Sequence, residues 1–211
     1  MSPAMPSTAT HYLHLARHGE ALLDESGLSE TGRQQAILLG RRLRNCPLTA
    51  LHHGPLPRAH ETARLIGEQL TDAPLKVSSA AGDYVPYMPT RDELPAKSAD
   101  IFLRLIASTT PEEASEGRIL AQQALALFTG PVIGDTDHHE LVVTHNFLIA
   151  WLVREALAAP RWRWLGLNVG NAALTVLRYP PGRAPMPLVY NDMGHLPTEL
   201  RWTGFPADLR V

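Results

Sequence analysis

The sequence predicts an α/β/α sandwich around a largely parallel sheet. Three observations carry that expectation. Short apolar, strand-like runs alternate with segments of helical period. The helical segments are long enough to cover a sheet face. Two of the strand-like runs end on a histidine.

At 211 residues the chain suits one domain, given the usual span of roughly 100 to 200 residues per domain. That domain is expected over residues 11–211, behind a disordered tail over 1–10 that is rich in Pro, Ser, Thr and Ala. From His11 to Ala16 an alternating and then apolar run reads as a strand delivering Arg17 and His18 to its carboxyl end. Ser29-Glu30-Thr31-Gly32 opens a helix whose Ala36, Leu39, Gly40 and Leu43 recur at three and four, ending near Asn45 and Pro47. Leu48 to His52 reads as the next strand, and Pro57 to Leu70 as a helix with Ala59, Ala63, Ile66 and Leu70 inward.

Leu75 to Ser78 is a weak strand, and Gly82 to Lys97, rich in Pro, Tyr, Asp and Glu without period, reads as an ordered loop of the kind that shapes pockets. Helices follow at Ala99 to Ala107 and Pro111 to Phe128, the second with Thr110 as cap, proline at its first position and Glu112 and Glu113 in its first turn. Glu140 to Thr144 is the clearest strand; it runs into His145 and then an apolar helix over Phe147 to Leu157. Ala172 to Tyr179 and Pro187 to Asn191 read as strands after a Gly170-Asn171 turn.

A net charge of −2 gives no basic footprint, so neither nucleic acid nor a membrane surface is an expected partner. No signal-peptide pattern opens the chain, and no stretch approaches the ~18 apolar residues of a membrane helix; a cytosolic protein is expected. The single cysteine, Cys46, has no second sulfur nearby and reads as a plain thiol. His52-His53 and His138-His139 are adjacent pairs, which point to opposite sides of a strand and chelate poorly; they read as free loop histidines.

The chemistry concentrates where strands end. Arg17-His18-Gly19-Glu20 puts a histidine beside a planar cation suited to phosphate oxygens and a glycine that admits close backbone approach. The arginine disfavours protonation of the imidazole and so keeps it nucleophilic. Arg58 sits in the first turn of a helix that follows a strand, a place that attracts anions, and Thr144-His145-Asn146 repeats the strand-to-helix arrangement.

Together the Arg17-His18-Gly19 signature, Leu28-Ser29-x-x-Gly32 with Gln35-Ala36, Pro55-x-x-Arg58-Ala59-x-x-Thr62-Ala63 and Val142-Val143-Thr144-His145 resemble the histidine phosphatase superfamily, the phosphoglycerate mutase-like family. The match runs through most of the chain in the family's order. The resemblance implies a phosphoglycerate mutase-like fold and hydrolysis of phosphomonoesters. It implies that His18 becomes phosphohistidine while Arg17, Arg58 and His145 hold the phosphoryl oxygens, His145 as a cation, with no metal or other cofactor.

The family's proton donor comes from the segment after the second arginine's helix, where Asp83 is the best placed and Asp92 and Glu93 compete. Two departures stand out. Asp24 replaces a frequent asparagine and is expected to point away from phosphate, whereas Asn146 replaces a frequent glycine and is expected either to touch substrate or to cap its helix. Tyr84 and Tyr87 flank Asp83 and are candidates for shaping the pocket.

The modest stretch between Asp83 and His145 favours a phosphatase acting on a small phosphorylated substrate. A mutase-type transferase or a non-catalytic phospho-ligand-binding protein are the alternatives. The physiological substrate and oligomeric state stay open.

Overall fold

The computed structural model describes residues 7–71 and 73–210. Thirteen strands and α-helices follow in order: β1 Thr8–Ala9, β2 His11–Arg17, α1 Glu30–Leu43, β3 Leu48–His53, α2 Pro57–Gly67, β4 Leu75–Val77, α3 Ala99–Leu105, α4 Pro111–Phe128, β5 Val132–Ile133, β6 His138–Thr144, α5 Asn146–Ala156, β7 Leu174–Tyr179 and β8 Met186–Asp192. A six-stranded sheet runs in the order β4-β3-β6-β2-β7-β8. Its first four strands are mutually parallel, and β7 and β8 extend it antiparallel beyond β2.

Side chains alternate across this sheet as the pleat requires. Leu13, Leu15 and Val142 pack on one side beneath α4 and α5, and Ala16, Leu141 and Val143 pack on the other beneath α1 and α2. The expected three-layer sandwich with a largely parallel sheet is the observed architecture.

Local chemistry sets the helix starts. Ser29 accepts from the Gly32 amide through its hydroxyl, a cap worth about 1 kcal/mol. Gly32 is required for another reason: a Cβ there would sit 2.1 Å from the Glu20 carbonyl oxygen, and one on Gly19 would sit 2.5 Å from the Gly32 carbonyl oxygen. Backbone therefore packs on backbone where the loop after β2 meets α1, which explains why both motifs carry glycine at those places. Pro111 opens α4 behind a capping box of Thr110 and Glu113.

Residues 1–6 of the tail expected over 1–10 lie outside the described residues, and the rest of that expectation is corrected. Thr8–Ala9 pair antiparallel with Val132–Ile133, the Thr10 amide donates to Asp137 at 2.9 Å, and Ala9 and Thr10 are buried. Partnered backbone holds them where composition alone reads as tail. The histidine pairs are likewise not in loops: His53 ends β3 and His138-His139 open β6, because β-branched and apolar neighbours carry both segments into the sheet.

Strand order builds the site. Although β6 is far along the chain, it inserts between β2 and β3, so Arg17 pairs with Thr144 in register. One residue further on, His18 and His145 leave the sheet side by side, with the β3-to-α2 junction on the other flank of β6. Ligands of such sheets bind outside the carboxyl ends of the strands.

Candidate active site

His18 is buried at the end of β2, its backbone fixed by a bond from its amide to the Thr144 carbonyl (2.9 Å) and by the Asn171 side-chain amide donating to its carbonyl (2.9 Å). Its Nδ1 lies 2.7 Å from the Gly19 carbonyl oxygen. A carbonyl can only accept, so the proton sits on Nδ1 and the Nε2 lone pair is free. Burial first, then His145 and Arg17, push the His18 pKa down to about 3. The ring is therefore neutral at physiological pH and able to attack an electrophile.

His145 stands at the head of α5 with its ring centroid 5.0 Å from that of His18. It is 1% exposed, and neither ring nitrogen has a hydrogen-bond partner among the described residues. The nearest anion is Asp83, 3.4 Å from Nδ1. Burial, followed by Arg58 and Arg17, lowers its pKa to about 3. Burial and two neighbouring guanidiniums favour the neutral imidazole, so the cation expected of His145 while it holds phosphate must draw on the phosphate's own charge. A phosphate dianion would offset that field.

Arg58 lies in the first turn of α2 and is buried, donating to Asp83 at 2.8 Å and to Glu25 at 3.1 Å. Its carbonyl accepts from the Thr62 hydroxyl, which in turn accepts from the Gly19 amide, so the two arginine-bearing motifs are wired together. Glu25, which the sequence reading passed over, occupies the loop after β2 with a positive φ of 58° and an exposed side chain. Two carboxylates thus hold the guanidinium, one on each terminal nitrogen.

Arg17 is held from the other side. Its Nη1 donates to the carbonyls of Val169 (2.8 Å) and Gly204 (2.6 Å). Burial lowers its pKa to about 10, against a raising influence from Asp83, and it remains a cation. Asn146 belongs to this support: Oδ1 accepts from the Val169 amide at 2.8 Å and Nδ2 donates to the Asn168 side chain at 3.2 Å. Asn146 does not cap α5, whose cap position is His145. It pins the loop that positions Arg17, because the side chain turns toward residues 168–169.

Gly204 is the second residue that the sequence reading missed. Its φ is 64°, and a Cβ there would fall 2.2 Å from Asn171 Oδ1 and 2.9 Å from Arg17 Nη1. Gly204→Ala is expected to keep the fold yet lower kcat/KM at least ~10-fold by displacing the guanidinium, a sensitivity typical of small misplacements of positioning groups. Steady-state kinetics beside an unchanged circular dichroism spectrum measure it.

The remaining candidates separate cleanly. Asp24 turns back on its own loop, accepting from the Ser26 amide (3.1 Å) and hydroxyl (2.7 Å), as expected of a side chain facing away from phosphate. Glu93 is engaged by Tyr87 (2.6 Å) and the Thr90 amide (2.8 Å), and Asp92 is exposed without a hydrogen bond to the cluster. Asp83 is the carboxylate that meets both Arg58 and His145. Tyr84 sends its hydroxyl to the Ala80 carbonyl (2.8 Å), while its ring, with Asp83, Glu113, Glu116 and Phe147, borders a cavity of about 680 Å³.

Comparison with known proteins bears on this cluster directly. The family model of the histidine phosphatase superfamily (branch 1) matches residues 13–192. The chain belongs to that superfamily. It is 33% identical over 206 residues to the mitochondrial serine/threonine-protein phosphatase Pgam5 of Caenorhabditis briggsae, covering 93% of this chain and 69% of that one. With its Caenorhabditis elegans counterpart it shares 32% over 197 residues, covering 90% and 66%.

Among solved structures, a phosphoserine phosphatase of Entamoeba histolytica in complex with phosphoserine superposes with a TM-score of 0.62 at 20% identity, covering 88% of this chain and 99% of that one. The phosphoglycerate mutase of Plasmodium falciparum gives 0.59 at 22%, covering 90% and 96%. These two likenesses establish the shared fold.

The superfamily member is a phosphatase, as the motifs imply. The expected cytosolic location is overturned, since those curated relatives are named as mitochondrial. The lack of a basic-then-apolar opening run was too weak an observation to fix a compartment. Among the described residues, no helix is long and apolar enough to cross a membrane.

Proposed function

We propose that residues 11–211 form one histidine phosphatase domain that hydrolyses phosphoserine or phosphothreonine esters of proteins through a phosphohistidine on His18, without a metal in the pocket. The observation that carries the reading is the His18 ring, neutral, with Nδ1 committed to Gly19 and Nε2 free beside Arg17, Arg58 and His145. The substrate class rests on the names of the curated relatives. The cavity bordered by Asp83 and Tyr84 supports it with room for more than a phosphoryl group.

In this reading Nε2 forms a bond to phosphorus as the bond from phosphorus to the ester oxygen breaks in line. Charge on the transferring group is met by Arg17, Arg58 and His145, so the site needs positioning and electrostatics rather than a cofactor. Binding draws Arg58 from Asp83 and Glu25 to the phosphate. Asp83, released from Arg58, is then placed to protonate the departing alkoxide. In the second step the same carboxylate takes a proton from the water that attacks phosphohistidine, releasing inorganic phosphate and restoring His18.

Asp83→Asn is expected to slow turnover of a phosphoserine peptide by ~10²-fold or more while costing an aryl phosphate, whose leaving group needs little protonation, far less. Parallel kinetics on the two substrates test it; equal losses on both would remove Asp83 as the acid. Hydrolysis of aryl phosphate with none of phosphoserine or phosphothreonine peptides would refute the substrate class and leave the chemistry intact.

A further inference from the structure

A second cluster of reactive side chains lies at the opposite end of the parallel strands. His14 is on β2 four residues before His18, hence about 13 Å from it at ~3.3 Å per residue. His139 is the second residue of β6, paired with Tyr12 and so on the same face as His14 two residues further on, and Cys46 follows α1 on the way into β3. His14 Nε2 and His139 Nδ1 are 3.1 Å apart, and Cys46 Sγ is 3.6 Å from each. Backbone bonds fix the cysteine: its amide donates to the Leu43 carbonyl (2.8 Å) and its carbonyl accepts from the Leu48 amide (2.7 Å).

We propose that His14, Cys46 and His139 form a site for a borderline transition metal of the zinc class, with a fourth position open to water. A tetrahedral ion at ~2.05 Å from nitrogen and ~2.3 Å from sulfur requires ligand separations of about 3.3 Å between nitrogens and about 3.6 Å from nitrogen to sulfur. The three atoms meet that geometry before any ion arrives. One proton shared between two imidazoles explains their closeness, but it leaves unexplained why a thiol sits equidistant from both.

The surroundings agree. Burial, with His139 and His11 adding to it, brings the His14 pKa down to about 4, and burial lowers that of His139, so both are neutral and open to coordination. The Tyr12 ring stacks on His139 at 4.4 Å and 9°, fixing its plane. Asp137 faces His139 from outside and would favour a cation there. Among the described residues no carboxylate oxygen joins the three atoms, and an imidazole and thiolate set selects zinc, copper or cobalt over magnesium or calcium. Burial holds Cys46 as a thiol, so coordination forms the sulfur–metal bond and releases one proton to water. Cys46 and His139 are half-buried, leaving the fourth position within reach of solvent.

Titration of the chelator-treated full chain with cobalt(II) is the test. Because the chain has a single cysteine, any thiolate-to-cobalt charge-transfer absorption must come from Cys46. One equivalent is expected to produce that band, to release one proton, and to protect Cys46 from alkylation; zinc should displace the cobalt. His139→Ala should weaken binding at least ~10-fold, and His138→Ala should not. Turnover of aryl phosphate is expected to be the same with and without the ion, which separates this site from the phosphate pocket. Absence of the band in the wild-type protein at excess cobalt, or equal affinity in His139→Ala, overturns the proposal.

Discussion

His18→Ala is expected to lower kcat for an aryl phosphate by at least ~10⁴-fold, because losing a nucleophile removes the covalent route and not merely one contact. Acid quenching of the wild-type enzyme during turnover should trap one acid-labile phosphate per chain, and the variant should trap none. Arg17, Arg58 and His145 remain in the variant, so inorganic phosphate should still inhibit its residual activity or register as binding by calorimetry. A variant that retained both turnover and the trapped phosphate would move the nucleophile elsewhere, with His145 the first alternative.

Arg58→Ala is expected to cost ~10³-fold in kcat/KM, the scale found when a cation facing a developing phosphoryl charge is removed. The loss has two sources in this pocket. The phosphate forfeits a charged donor, and Asp83 and Glu25 lose the cation that now neutralises them. Inhibition by inorganic phosphate should weaken in parallel. Arg58→Lys should restore little, since a point ammonium cannot reproduce a fork that now reaches two separate oxygens, one on each carboxylate. His145 titration followed by NMR supplies an independent reading: Arg58 is one of the causes of its depressed pKa, so the midpoint should rise in Arg58→Ala.

Much of this architecture was legible in the sequence, for reasons that differ from element to element. Helix α4 was read to the residue because Thr110, Pro111 and Glu113 are local signals acting through the backbone beside them. His18 and His145 could be placed at strand ends, and Arg58 in the helix turn that follows one, because each comes after a short run of strand character. Strand order was not legible: nothing near His145 announces that β6 enters between β2 and β3. That insertion alone makes the three residues neighbours.

The misreadings share that cause. Asn146 was weighed as a local cap or a ligand contact, yet its partners lie at positions 168 and 169. His138-His139 were dismissed as a poor pair along one strand, correctly, while the partner of His139 sits on the neighbouring strand. Long-range partners decide both, and residue spacing carries no record of them.

The grip of Gly204 on Arg17 has a further meaning for the life of the polypeptide. That contact joins positions 187 residues apart, and the Gln35 side chain ties the same segment through Leu200 and Thr203. A nascent chain still short of residue 204 can set His18 at its strand end but cannot complete the seat of the arginine. A chain short of that residue holds the Arg17 guanidinium by the Val169 carbonyl alone among the described contacts, a cation tethered on one side of its pocket.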